Sequence, residues 1–201
     1  MANNSQFDLC SAALLLLGAK PISAFTGDTG AIAERLYDSV TKGIASSYPW
    51  RFMRQYSSPL ARLTATPVIQ YLYYYRLPSD IEGLAWALYD DDSQDAPPFK
   101  NWEQVGASIA TDAAEVWIKY SALPEVPQWP GYFQQLVIYA LAAEFAMPVR
   151  ESSSTADYWR GVAFGRPAEG GRGGYWKVAT GSDAKGSPAS VQRDNPFIDC
   201  R

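Results

Sequence analysis

The chain has 201 residues, of which 47% are hydrophobic, and a formal net charge of −4. That length and apolar content support one core, or one core carrying an inserted subdomain, while the acidic balance excludes tight binding of nucleic acid through its phosphates, which needs a basic footprint. Histidine is absent, removing the commonest general base and metal ligand, and two cysteines, Cys10 and Cys200, with no Cys-x-x-Cys pair, exclude a zinc site built from Cys and His.

The first apolar run, residues 9–19, is about half the ~20 residues that a membrane-spanning helix needs. The preceding MANNSQFD has no positive n-region, and no small-x-small cleavage site follows. The run therefore reads as a buried helix. Ser5 with Asp8 makes a weak capping box, Gly18 ends the helix, and Pro21 prevents its continuation. A short helix that is apolar nearly all round must be covered by protein on several sides. Cys10 within it reads as a small hydrophobe, not as half of a disulfide with Cys200, and the cysteine usage suits a reducing cytosol.

Residues 28–48 predict a second helix, capped by Asp28 or Thr29, with Ile32, Leu36, Val40 and Ile44 at spacing four, Ala33 and Tyr37 beside them, and Pro49 as the stop. The period then changes. Residues 68–77 (VIQYLYYYRL) predict a strand, residues 81–89 another, and residues 105–111 and 114–122 a strand pair around a turn near Asp112. Consecutive strands with no helix between them predict an antiparallel sheet. Helical signal returns at Pro130, with Phe133, Leu136, Val137, Ala140, Leu141, Glu144 and Phe145 in a stripe that Pro148 stops. Ser152, Ser153, Ser154 and Thr155 offer caps for a fourth helix containing Tyr158, Trp159, Val162 and Phe164. A flexible glycine-rich connection follows at residues 165–174, then a last helical turn or two at residues 175–183. Residues 185–201 have no periodicity and read as an extended tail.

The expected fold is α+β, mainly α: an antiparallel helical bundle (residues 1–55 plus 128–184), an inserted antiparallel β-rich subdomain (56–127) and an extended C-terminal tail (185–201).

Few residues offer chemistry. An EF-hand loop starting at Asp90 would need Gly and Glu where Asp95 and Asn101 stand, so Asp90, Asp91 and Asp92 read as a solvated acidic loop. The run GRPAEGGRGG lacks the Gly-Lys-Ser/Thr ending of a phosphate loop, although Arg166 and Arg172 are able to touch an anion. Glu103, Asp112, Glu115 and Glu144 supply carboxyls for glycoside hydrolysis. Glu144, in an apolar stripe, is the one whose burial would raise its pKa; pairing with an arginine is the other outcome. No Gly-x-Ser-x-Gly is present. Tyr71, Tyr73 and Tyr75 alternate onto one strand face, a platform for stacked bases or, without a basic groove, for the bundle or a neighbouring subunit. At the end of the tail, Asn195, Pro196, Phe197, Ile198 and Arg201 put apolar anchors beyond a polar linker, a pattern suited to docking on another chain.

The order of these features resembles the head-to-tail adaptors of tailed bacteriophages, the tail tubular protein A-like family. The matching pieces are LLLLGA at 14–19, ISAF at 22–25, LYD at 36–38 and YPWRF at 48–52. YLYYYRLPSDIEGL follows at 71–84, WPGYFQQLVIYALAAEFAMPV at 129–149, and the closing A-x-x-x-D-A pattern within 179–184. The resemblance implies a structural protein with no reaction, cofactor, metal or membrane. It implies a virion protein of the head-tail junction, assembled in the host cytoplasm as a ring, usually twelve-fold. The ring would bind the portal protein above and the tail nozzle or tube below, and pass double-stranded DNA without specific binding. It further implies that the bundle forms the ring wall, that the β-rich part faces the tail, and that the C-terminal segment reaches the portal or a neighbour. The residues agree with that picture: 13 Tyr and 7 Trp suit subunit interfaces, and acidic charge suits a channel through which DNA must slide, with Asp90, Asp91 and Asp92 as lumen candidates. The competing readings are a tail-associated glycan or cell-wall hydrolase, and a tail-completion or stopper protein.

Overall fold

The computed structural model describes residues 5–65, 70–92 and 97–186. Among them the chain is mixed α/β, with five helices and two three-stranded antiparallel sheets whose strands all lie between the second and third helices.

Helix α1 (Gln6–Leu16) starts as its sequence dictates: the Ser5 hydroxyl accepts from the Asp8 N–H at 3.2 Å and donates to the Asp8 carboxylate at 2.9 Å. Its coverage is narrower than its composition demands. Leu9, Cys10, Ala13, Leu14 and Leu17 are buried, yet Leu15 stays 59% and Leu16 40% exposed. Helix α2 (Gly27–Ser47) has Thr26 at its N-cap position, with no side-chain bond to the first turn, so residues 28 and 29 fall inside the helix and not at its cap position. Ala33, Tyr37 and Ile44 of the expected face of α2 are buried, joined by Thr41 and Ala45, while Ile32, Leu36 and Val40 are only half-buried.

At the end of α2 the chain reverses through Pro49 and buries Trp50 completely. Its indole N–H donates to the Ile44 carbonyl at 3.0 Å, satisfying one of the last carbonyls of the helix. Its ring meets Tyr48, Phe52, Tyr132, Phe133 and Trp176.

Helix α3 (Gly131–Arg150) buries Phe133, Leu136, Val137, Ile138, Ala140, Leu141, Ala142, Ala143, Phe145 and Ala146. It is covered nearly all round because α1, α2, α4 and α5 all pack on it. Pro148 does not stop it. The missing N–H costs one bond to the Glu144 carbonyl on the exposed side of the last turn, and the helix closes at Glu151, left-handed at φ 51°, whose N–H donates to the Met147 carbonyl at 2.9 Å. Arg150 Nε reaches the Leu17 carbonyl at 2.6 Å and joins the ends of α1 and α3. Helix α4 (Ser153–Phe164) is capped by Ser152, as its sequence predicts. Helix α5 (Gly174–Ala184) is a full eleven residues.

The strands are β1 (Arg54–Tyr56), β2 (Tyr73–Arg76), β3 (Ala87–Tyr89), β4 (Trp102–Val105), β5 (Ser108–Thr111) and β6 (Trp117–Ser121). They form sheets in the orders β1-β6-β3 and β2-β5-β4. The expected pairing of residues 105–111 with 114–122 does not occur. Gly106, at φ 58°, folds β4 and β5 into a hairpin with Val105 opposite Ser108, and the chain crosses at residues 112–116 to the other sheet. The Tyr75 hydroxyl holds that crossover, at 2.8 Å from the Ala113 carbonyl and 2.6 Å from that of Ala114. The strand expected at 68–77 is confined to β2, preceded by Gln70 at φ 69°; residues 66–69 lie outside the description. The strand expected at 81–89 shortens to β3 plus one bridge from Ile81 to Ala122.

Buried apolar side chains fall into two clusters. One joins the helices with Trp50, Met53 and Trp129; the other, between the two sheets, contains Tyr75, Leu88, Ile109, Val116, Ile118 and Tyr120. Trp50→Ala removes the largest fully buried side chain of the first cluster. It should lower unfolding free energy by about 3–5 kcal/mol, measured by urea denaturation.

Burial pushes the Cys10 thiol up to about 12 and holds the Tyr37 phenol, buried beside it, above its ordinary range. Unfolded, both lose their protons at lower pH. Their contribution to stability is therefore whole below about pH 8.5, the free thiol's value, and is lost as pH rises toward 12. Urea midpoints should fall steadily above pH 8.5, and Cys10→Ala should flatten the first part of that fall.

Candidate functional site

The last turn of α5 carries Asp183, whose side chain is buried at 2% exposure. Both of its carboxylate oxygens accept from the Arg51 backbone N–H, at 3.1 and 3.0 Å, and Oδ1 also accepts from the Tyr132 hydroxyl at 2.8 Å. Burial first, then the bond to Asp183 and its charge, raise the Tyr132 phenol, so that it keeps its proton and remains a donor. Three distant segments meet here: the YPWRF segment after α2, the start of α3 and the end of α5. Neither i,i+4 periodicity nor capping rules single out Asp183; the only sequence signal was its place in the closing A-x-x-x-D-A pattern. The tail residues Asn195, Pro196, Phe197, Ile198 and Arg201 lie outside the described residues; in sequence, the last element before them is α5.

The three tyrosines taken together as an interface separate. Tyr75 is 1% exposed, a core residue of the β-rich cluster with its hydroxyl bonded, so it has no free ring to offer a partner. Tyr73 is half-buried and lies under the Arg62 guanidinium, 3.7 Å from its carbon to the ring centroid. Tyr71 is half-buried, outside any strand. Asp90, Asp91 and Asp92 follow β3 and are all exposed.

The carboxylates do not converge. Glu103 on β4 and Glu115 in the crossover are exposed, while Asp112 is held by the Leu72 N–H at 3.0 Å and by the Asn101 amide. Glu144 is not buried: its side chain is 44% exposed and pairs with Arg160 of α4 at 3.2 Å, with Asp157 on the same guanidinium at 3.6 Å. The apolar stripe of α3 runs on through Phe145 and Ala146, but Glu144 itself faces a groove that α2 and α4 leave between them, lined by Leu36, Val40, Gly43, Ala140 and Phe164. Among the described residues, no three His, Cys, Asp or Glu side chains gather as metal ligands, and no helix is long and apolar enough to cross a membrane.

The glycine-rich run is compact, not the flexible connection expected. Residues 167–169 make a 3-10 turn, and the Glu169 carboxylate accepts from the Arg166 N–H at 2.7 Å. Gly165 packs so closely on Gly173 that a Cβ would sit 2.6 Å from the Gly173 Cα. This turn delivers Arg172 to the edge of a cleft of about 410 Å³ between the end of α2 and the first half of α5.

No protein-family model matches the chain, and neither does any curated protein.

Removing the Asp183 carboxylate leaves the Tyr132 hydroxyl and the Arg51 N–H without their acceptor. Asp183→Ala should therefore cost about 1–3 kcal/mol. Tyr132→Phe should cost less, and the double variant should cost less than the sum, because the two share one bond. Urea unfolding of the four proteins checks this.

Proposed function

We propose that this chain is a structural head-to-tail connector of a tailed bacteriophage: a ring-forming adaptor beneath the portal that lets genomic DNA pass. The observation that carries the reading is the partial coverage of α1. Of four successive leucines, Leu14 and Leu17 enter the core while Leu15 and Leu16 stand in solvent. Met147, Tyr158 and Val178 leave further apolar surface on α3, α4 and α5. An apolar helix with one face uncovered in a single copy is accounted for if other copies cover it, and heterologous contacts of that kind close into rings.

Two further features support the reading. The sequence pieces that resemble the adaptors interlock, with Asp183 of the closing pattern gripping the backbone of the YPWRF segment. The strands and helices also fall in the expected chain order. On this reading the helices form one bundle (residues 1–55 plus 128–184) that builds the ring wall. Residues 56–127 are an inserted β-rich part toward the tail nozzle or tube, and residues 185–201 dock on the portal or a neighbour. The protein takes no cofactor and resides in the virion at the head-tail junction.

Electron microscopy of the full chain mixed with its portal should show closed rings. Leu15→Asp with Leu16→Asp should abolish them while leaving the circular dichroism of the single copy unchanged. Deleting residues 186–201 should weaken attachment to the portal without unfolding the chain. A chain that stays monomeric on and off the portal overturns the reading.

A further inference from the structure

The cleft at the α2–α5 corner is lined by Ser47, Tyr48, Pro49, Arg172, Trp176, Lys177 and Thr180, and no carboxylate lines it. Arg172 and Lys177 are both exposed, and the ion pairs of Arg160 with Glu144 and Asp157 involve neither of them. The Glu169 carboxylate packs against Gly173, the N-cap of α5, outside the lining, so the positive charge of the cleft is that of Arg172 and Lys177. Tyr48 and Trp176, with ring centroids 6.4 Å apart and nearly perpendicular, form an aromatic wall that lowers the local dielectric. On a chain of net charge −4 this is a concave positive site that its own lining does not neutralise.

The same chain carries the complement. Asp90, Asp91 and Asp92 are three consecutive exposed carboxylates following β3. No lysine or arginine occurs in the sequence between Arg76 and Lys100. A short acidic segment fits a cleft of about 410 Å³ walled by two cations.

We propose that the Arg172–Lys177 cleft receives the Asp90–Asp91–Asp92 segment of a second copy of this chain. The inference rests on the self-assembling reading above, and it moves these aspartates from the channel lining to the seam between copies. Donor and acceptor lie on different parts of one chain, so the contact is heterologous: each copy gives an acidic segment to one neighbour and a cleft to the other. Charge pairs of this kind set partner choice and register and weaken with salt.

The test is a charge swap on the full chain, read by sedimentation velocity, or on the portal by electron microscopy if the free chain does not associate. Arg172→Glu with Lys177→Glu, and separately Asp90→Lys with Asp92→Lys, should each weaken self-association by roughly tenfold or more. The four changes together should restore it to near the level of the unaltered protein. All four positions are exposed, and restoration cannot come from an unfolded chain. The proposal is overturned if either reversed pair assembles normally, or if both fail and the combination does not recover. It is equally overturned if the Arg172 and Lys177 changes abolish only attachment to the portal, which would assign the cleft to an acidic segment of that protein. In each of these results the unaltered chain still forms rings, so the connector reading survives; an unaltered chain that forms none ends both.

Discussion

The structure turns on the buried indole of Trp50. It sits where the chain leaves its helices for its strands, and it ties together groups that would otherwise separate. Its N–H closes the end of α2, while its ring fills the space among α2, the start of α3 and α5. The next residue, Arg51, offers its backbone N–H to Asp183. Two adjacent residues thus hold the end of one helix, the beginning of another and the last turn of a third. With the exit at residue 53 and the return at Trp129 both in the helical core, the intervening 75 residues can form a core of their own without disturbing the helices.

Local chemistry was legible where it decides structure locally. Ser5 and Ser152 cap the helices that their spacing announces, and α3 is as apolar as its place at the centre requires. What failed was whatever a distant partner decides. A strand does not name its neighbour, so β6 pairs with β1 and β3 and not with the adjacent β5. Pro148 reads as a stop, but a proline on the exposed side of a last turn costs too little to end a helix held by four others. Glu144 lies in an apolar stripe by sequence and in a groove by packing, because its surroundings depend on how far apart α2 and α4 stand.

The candidate site followed the same division. The acidic run at Asp90, Asp91 and Asp92 is visible in the sequence because its members are adjacent. The cleft proposed to receive it is not, because Tyr48, Arg172 and Lys177 are brought together by the turn at residues 165–173 and by the packing of Trp176 under Trp50. A glycine-rich run looks slack in sequence. Here the glycines allow the backbone to approach itself closely enough to set an arginine in place.

The central position of α3 has a consequence for biosynthesis. Helices α1 and α2 pack mainly on α3 and hardly on each other, and β1 waits for β6, about sixty residues downstream. Until residue 150 has left the ribosome, the greasy sides of the first fifty residues have no permanent cover, and the earliest strand has no mate. A nascent chain of this topology keeps its apolar faces and its first strand open to aggregation for most of its synthesis, well before any question of assembly arises.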